Sequence, residues 1–184
     1  MEDIIFNVFQ YLPIKDICSC VLVSSIFYRV YNKNLLWKYL LERDYQDKWK
    51  GLMCQNYCEI YILYKKMIKL KRVLPIYSDI VKLFNNNELH LDSKSLNYLP
   101  KEIGSLVNLQ TVNCYGNYLR TLPKEIVQLI NLRILNLSSN KLCILPKEIC
   151  QLVNLEILNL TKNKLENLPT EIGNLVNLQY LYFV

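Results

Sequence analysis

The chain has 184 residues, of which 52% are hydrophobic and 21% are charged. This composition excludes disordered, collagen-like and low-complexity proteins. Leucine is abundant, only 4 glycines are present and alanine is absent, so residues with AT-rich codons are favoured. The net charge of +6 is concentrated in the N-terminal part of the chain, where a basic run covers Lys65–Arg72. Such a run attracts phosphate or acidic lipid in some proteins, but more often it is a solvated helix face.

The 7 cysteines and the single histidine, His90, do not form the paired spacing of a zinc site. We therefore expect no metal and no cofactor, and reduced thiols in an intracellular protein. The chain opens with Met1-Glu2-Asp3, which is acidic where a signal peptide would be basic. Its longest apolar run, Ile17 to Tyr28, is shorter than the ~20 residues that span a bilayer. We expect a soluble, cytoplasmic or nuclear protein without a membrane or nucleic-acid partner.

Apolar spacing over residues 2–37 predicts three short helices, with Pro13 as a stop between the first two and Trp37 in the third. Three short helices cannot enclose a large core, so we expect this module to need a partner. Residues 45–84 form a predicted helical linker. Its apolar side chains recur at three- and four-residue steps, typical of an amphipathic helix with an aromatic face, at Trp49, Tyr57, Ile60, Tyr61, Tyr64 and Ile68.

The second half of the chain is repetitive, with a constant step of 23 between equivalent positions. Leu-Pro pairs begin at residues 99, 122, 145 and 168, and Asn-Leu pairs begin at residues 108, 131, 154 and 177. Because two landmarks keep one register over four units, residues 85–184 resemble leucine-rich repeats, with about 4.5 units. The resemblance implies a solenoid with a parallel sheet on its concave face.

One unit shows the physics of the repeat. Leu135 and Leu137 alternate with polar residues, which predicts a strand with one buried face. The asparagine that follows is expected to satisfy backbone groups of neighbouring coils, so that Asn117, Asn140 and Asn163 stack as a ladder. The first unit has Lys94 at that position, so the ladder should start in the second unit. Leucines of the return arm turn inward, and Pro146 and its equivalents keep that arm from becoming a long helix.

The final unit stops at Phe183-Val184, within its strand. Solenoids usually need a polar cap, and the final unit is not followed by one. Two explanations stay open. One is a truncated reading frame, and the other is an exposed edge strand that is prone to pairing.

The N-terminal residues resemble the F-box, a small helical motif that docks a Skp1-type linker. The resemblance rests on Phe9–Ile17, Leu22–Phe27 and Asn34–Trp37, with Tyr11-Leu12-Pro13 and Leu36-Trp37 at the family spacing. Ser24 and Ser25 replace the family's Cys and basic residue, and the family's opening Leu-Pro would precede Met1. This implies a reduced docking surface or an upstream start codon. The resemblance implies that the Skp1-like partner is bound by Ile5, Phe9, Leu12, Pro13, Ile17, Leu22, Val23, Phe27, Leu36 and Trp37.

The predicted fold is α plus an α/β solenoid. An F-box-like module occupies residues 1–44, the helical linker 45–84 and the leucine-rich repeats 85–184. Carried over from the repeat family, the concave face that binds a target consists of Glu88, His90, Asp92, Thr111, Asn113, Tyr115, Ile134, Asn136, Ser138, Ile157, Asn159, Thr161, Lys162, Tyr180 and Tyr182. We expect Ile134, Ile157, Tyr180 and Tyr182 to be the anchors, although Ile134 and Ile157 also suit a strand for structural reasons alone.

No catalytic motif is present. His90 has Asp92 two residues on, but no nucleophile pattern, P-loop or paired-carboxylate motif accompanies it. We therefore expect a non-catalytic substrate adaptor of an SCF-type (cullin–RING) ubiquitin ligase, with a Skp1-like protein, a cullin complex and an unknown target as partners.

Two alternatives remain open. One is a leucine-rich-repeat scaffold outside any ligase, with the N-terminal helices as a cap for the first repeat. The other is an anion-binding protein that acts through Lys65–Arg72. The composition looks like that of large DNA viruses or AT-rich protists, and in a virus the adaptor would act on the host ligase.

Overall fold

The structure, a computed structural model, describes residues 42–44, 62, 66, 68–70, 72–74 and 80–183. The chain divides into two compact units, Met1–Ile68 and Lys69–Val184. The residues that the F-box resemblance implies, from Ile5 to Trp37, lie outside the described residues, as does most of the predicted linker. The three-part division at residues 44 and 84 stays a prediction.

The second unit is built around a parallel sheet. A short helix, Ile80–Asn85, leads into it, and the order of the strands in the sheet is their order in the sequence. The strands are β1 (Glu88–His90), β2 (Thr111–Asn113), β3 (Ile134–Asn136), β4 (Ile157–Asn159) and β5 (Tyr180–Tyr182). Each strand residue pairs with the equivalent residue of the next unit, for example Leu135 with Leu158. The parallel sheet predicted from the repeat period is therefore confirmed.

The strands are shorter than the sequence predicts, since the alternation of Leu135 and Leu137 with polar residues indicates a strand that includes both leucines. The β3 strand ends at Asn136, so Leu137 lies just beyond it. The Leu137 amide still donates to the Asn159 carbonyl at 2.8 Å, and its side chain is buried. Each coil must turn soon after its strand if the chain is to return to the sheet within one repeat, and a short strand allows this.

The core lies between the sheet and the return arms. The central residues of the first four strands are fully buried: Leu89, Val112, Leu135 and Leu158. Cys114 stands at a leucine position and is fully buried. The leucines of one coil thus pack on those of the next, which removes apolar surface that a single coil would leave in water.

The asparagine ladder is present at Asn117, Asn140 and Asn163. Asn140 Nδ2 donates to the carbonyl of Cys114, one coil back, at 2.9 Å and to that of Leu137 at 3.0 Å. Asn140 Oδ1 accepts the amide of Leu119, also one coil back, at 3.0 Å. Each ladder asparagine therefore joins two successive coils and satisfies backbone groups that would otherwise be buried without partners.

The first coil takes part in the ladder without an asparagine of its own. At the ladder position it has Lys94, whose amide donates to Asn117 Oδ1 at 3.1 Å. The Leu96 amide donates to the same oxygen at 2.9 Å. Because each asparagine bonds the coil before it, the first coil needs only Asn117 of the second, and the predicted start of the ladder is confirmed.

The return arms contain 3-10 helices that begin directly after the repeated proline. They span Lys101–Ser105, Lys124–Gln128, Lys147–Gln151 and Thr170–Asn174. In the third, the Pro146 carbonyl accepts the Ile149 amide at 3.1 Å. Pro146 has a φ of −65°, as its ring requires. The arm is thus a single short helix in each coil, in agreement with the predicted role of proline.

A second row of asparagines has the same period. These are the asparagines of the repeated Asn-Leu pairs, and each Nδ2 donates to a carbonyl 24 residues back, which for Asn108 is that of Phe84 in the leading helix. Asn131 bonds the Val107 carbonyl at 2.9 Å and Asn154 the Ile130 carbonyl at 2.8 Å. In the sequence these pairs are visible only as a landmark of the repeat. The structure adds their role as a second tie between coils.

We predict that replacing Asn140 by Ala lowers the free energy of unfolding by about 1–3 kcal/mol, because it leaves the Leu119 amide buried without its acceptor and removes one of the two asparagine donors to the Cys114 carbonyl. Urea denaturation of the full chain measures this. Asn167→Ala is the matched control, since Asn167 is exposed and its side chain forms no hydrogen bond with described residues. Equal stability of the two variants would contradict a structural role for the ladder.

Candidate protein-interaction surface

The face of the sheet opposite the core presents three rows of side chains. Because the strands are parallel and in register, equivalent residues of successive units stand side by side. The first row is Glu88, Thr111, Ile134, Ile157 and Tyr180. The second row is His90, Asn113, Asn136, Asn159 and Tyr182. A third row, just beyond the strand ends, begins with Asp92 and Tyr115 and continues with Ser138 and Thr161. The structure thus places the predicted concave residues on one face, except Lys162, which directly follows Thr161 and is outside the three rows. Their role in binding stays a prediction.

The second row contains three asparagines with fixed amides. Asn136 Oδ1 accepts the amide of Ser138 at 3.1 Å and its hydroxyl at 2.7 Å. Asn159 does the same with Thr161, at 3.1 Å and 2.9 Å. Asn113 Oδ1 accepts the Tyr115 amide at 3.1 Å. The repetition of asparagine in this row therefore has a structural cause, namely that each one closes the turn after its strand.

Ser138 is buried, although the sequence predicts that its side chain is exposed on the concave face. It is 5% exposed, and its hydroxyl is occupied by the bond to Asn136. The third row is therefore available to a ligand mainly at Asp92 and Tyr115, which are exposed, and at Thr161, which is half-buried.

Apolar groups are concentrated at the β3 to β5 end of the face. Ile134 and Ile157 are half-buried, while Tyr180 and Tyr182 are exposed. The two tyrosine rings are stacked, with centroids 6.3 Å apart and planes at 6°. Leu181, between them, is at the core-side position of its strand and is 39% exposed, unlike the central residues of the other strands, so it is not part of this cluster. Exposed apolar groups that cluster in this way are typical of a protein-binding surface.

Charge is unequal along the face. At the β1 end, Glu88 and Asp92 are exposed, and His90 Nε2 lies 3.1 Å from Glu88 Oε2. After β4 the exposed side chain of Lys162 provides positive charge. Beside the first row, Arg133 and Glu156 form an ion pair at 3.4 Å, which adds no net charge. The face therefore has an acidic end at β1, and Lys162, one residue beyond the third row, is an exposed basic side chain after β4.

Within the described part of the chain, no group of three or more His, Cys, Asp or Glu side chains could hold a metal ion. His90 has carboxylates beside it, but Glu88 and His90 stand on an open surface rather than in a cleft. The surface offers shape, hydrogen bonds and apolar contact, which suit the binding of another protein.

The basic run is only partly described. Lys66, Lys69 and Arg72 are exposed, and Lys69 Nζ lies 3.7 Å from Glu102 Oε1. One of its charges is thus paired with an acid. Among the helices that the structure describes, none is long and apolar enough to cross a bilayer.

Family models match two parts of the chain: an F-box-like domain over residues 2–43, and leucine-rich repeats over residues 131–152 and 154–175. A leucine-rich-repeat protein of Leptospira interrogans is 38% identical over 56% of this chain and 32% of that chain, with a TM-score of 0.44. A plant ice-binding protein is 29% identical over 48% of this chain and 30% of that chain, with a TM-score of 0.41. This chain spans less than a third of the length of each.

The parallel sheet and the repeat match define a leucine-rich-repeat solenoid, so the predicted fold class is confirmed. With the F-box-like match at the N-terminus, the chain matches an F-box/leucine-rich-repeat protein. Both kinds of domain are typically non-catalytic adaptor or interaction modules.

The described cysteines differ in environment in a way that allows a test. Burial raises the pKa of the Cys114 thiol from 9.0 to about 12, since desolvation disfavours the thiolate. The unfolded chain therefore releases this proton first, and the free energy of unfolding should fall as the pH rises from 9 towards 12.

We expect Cys114→Val to weaken this pH dependence, measured by urea denaturation at about pH 8 and about pH 11. Cys143→Ser is the control, because Cys143 is exposed. This substitution should leave the pH dependence of the unfolding free energy as it is in the wild type. If the unfolding free energy of the Cys114 variant falls with pH as steeply as that of the wild type, this thiol is not buried in the folded protein.

Proposed function

We propose that the chain is a substrate-recognition adaptor of an SCF-type ubiquitin ligase. Its F-box-like segment docks a Skp1-type protein of a cullin complex, and the open face of its repeats holds a target protein. The observation that carries the proposal is the presence, in one chain, of an F-box-like match and a repeat solenoid with a side-chain-bearing sheet face opposite its core.

The repeat surface supports a binding role. Its apolar anchors, Ile134, Ile157, Tyr180 and Tyr182, stand together at one end of the sheet. Fixed hydrogen-bond donors lie in the row beside them. A rigid surface binds with less loss of conformational entropy than a flexible one, and the sheet and the asparagine ladder supply that rigidity.

The adaptor needs no reactive group of its own. It brings the target to the ubiquitin-conjugating enzyme of the ligase, and the gain comes from effective concentration. The site of action is the cytoplasm or the nucleus, where such ligases work, and in the host cell if the chain is viral.

We expect the full chain to capture a Skp1-type protein in a pull-down. Leu12→Asp combined with Pro13→Ala should abolish capture, since a charge would enter the apolar surface that the F-box resemblance assigns to the partner. Asn136→Asp is the matched control, because it lies in the sheet face and should leave capture unchanged.

Two outcomes would reject the ligase role: no capture by the wild type, or undiminished capture by the Leu12 and Pro13 double variant. A protein that binds its target but fails to capture the Skp1-type partner would instead be a repeat scaffold outside the ligase. Circular dichroism of each variant separates loss of binding from loss of folding.

A further inference from the structure

The half-buried side chains of Asn113, Asn136 and Asn159 carry a row of amide N–H donors along the open face of the sheet. In each residue, Oδ1 accepts a backbone amide two residues on. An amide nitrogen cannot accept a hydrogen bond, so the side chain cannot turn over without losing that contact. Among the described residues, no acceptor is bonded to the Nδ2 of these three asparagines. The row is therefore a fixed set of donors, held ready for a ligand that carries acceptors.

The spacing of the donors restricts the shape of that ligand. Neighbouring strands lie about 4.8 Å apart, so the donors recur at that distance across the sheet. In an extended peptide, side chains on one face recur every ~6.7 Å, and in an α-helix one face recurs every ~5.4 Å. Over the two intervals between Asn113 and Asn159, the mismatch is about 1.2 Å for a helix and about 3.8 Å for an extended chain. Small side-chain movements can compensate for the mismatch of a helix but not for that of an extended chain.

The first row adds an apolar contact beside the donors. Ile134 and Ile157 stand two residues before Asn136 and Asn159 along their strands, about 6.7 Å away on the same face. A helix that lies across the strands therefore meets acceptors with one line of side chains and apolar groups with the next. That arrangement is the pattern of an amphipathic helix.

The length and the charges of the face agree with a helix. From β1 to β5 the face spans about 19 Å, the length of about 13 helical residues. The N-terminus of a helix carries partial positive charge and its C-terminus partial negative charge. The acidic end with Glu88 and Asp92 suits the former, and Lys162 suits the latter.

We propose that the concave face binds one amphipathic helix of the target, with Asp, Glu, Asn or Gln side chains once per turn opposite the asparagine row. The helix runs across the strands with its N-terminus over β1. This inference rests on the proposed function, since it names the part of the target that the adaptor recognises.

The test uses full-length protein and synthetic 14-residue probes labelled with a fluorophore. The first probe is a stapled helix with Glu once per turn and Leu on the neighbouring line. The second has the same composition in an alternating order, with prolines that keep it extended. The third has Lys in place of each Glu of the first. Fluorescence polarisation gives the Kd of each. We expect the helical Glu probe to bind at least tenfold more tightly than the other two.

The decisive variant is Asn136→Asp, which keeps an oxygen for the Ser138 amide and hydroxyl but replaces the outward donor by an acceptor. We expect it to weaken binding of the helical Glu probe by tenfold or more and to strengthen binding of the Lys probe. Asn167→Asp is the matched control, with the same charge change on an exposed residue away from the sheet face, and should leave both Kd values within twofold.

Three results would overturn the proposal: no binding of the helical Glu probe, tighter binding of the extended probe, or an unchanged Kd in Asn136→Asp. Orientation is tested by moving one added Lys from the first turn of the probe to its last. The first-turn form should bind more tightly at low salt, and the reverse order would refute the stated direction.

The same protein samples are tested for capture of the Skp1-type partner. Failure of the probes with intact capture rejects the helix proposal and leaves the adaptor role in place. Failure of capture with intact probe binding rejects the adaptor role and leaves the recognition of a helix.

Discussion

The buried asparagine between successive coils is the interaction on which the second unit depends. A coil so short, with only a brief strand, cannot pair all its backbone groups within itself. Asn140 supplies a donor to the Cys114 carbonyl and an acceptor to the Leu119 amide of the preceding coil. Its side-chain amide carries a donor and an acceptor on one planar group. Among side chains of that size, only a protonated aspartate also has both. Burial of the leucines is then possible without leaving polar atoms unpaired.

The ladder also fixes what the surface can do. Each coil is held in one register by its asparagine and by the strand pairing, so equivalent side chains of successive coils meet in straight rows. The same residue type, asparagine, closes the turn after the strand at Asn113, Asn136 and Asn159, and this use of Oδ1 leaves Nδ2 without a bonded acceptor among the described residues. A structural requirement of the coil thereby produces a row of donors on the face that is open to a partner.

The charges and apolar groups on this face are less regular than the ladder. Glu88 and Asp92 stand at one end, while Tyr180 and Tyr182 stand at the other. The interior of each coil must match its neighbours, which keeps the buried positions alike, whereas the surface positions are free to differ. Under the proposed function, these irregular positions are the ones that distinguish one target from another, while the asparagine row is common to all the middle coils.

The sequence by itself determined the repeat period, the ladder at Asn117, Asn140 and Asn163, and the residues that share a face, because each follows from spacing along the chain. Only the tertiary structure decided that Ser138 is buried against Asn136, that the strands end so early, and that Asn131 and Asn154 tie coils together. These features depend on contacts between residues that are far apart in the sequence but close in the folded chain, and spacing along the sequence does not specify such contacts. The amide orientation in the asparagine row is decided in the same way, since it follows from which backbone amide reaches each oxygen.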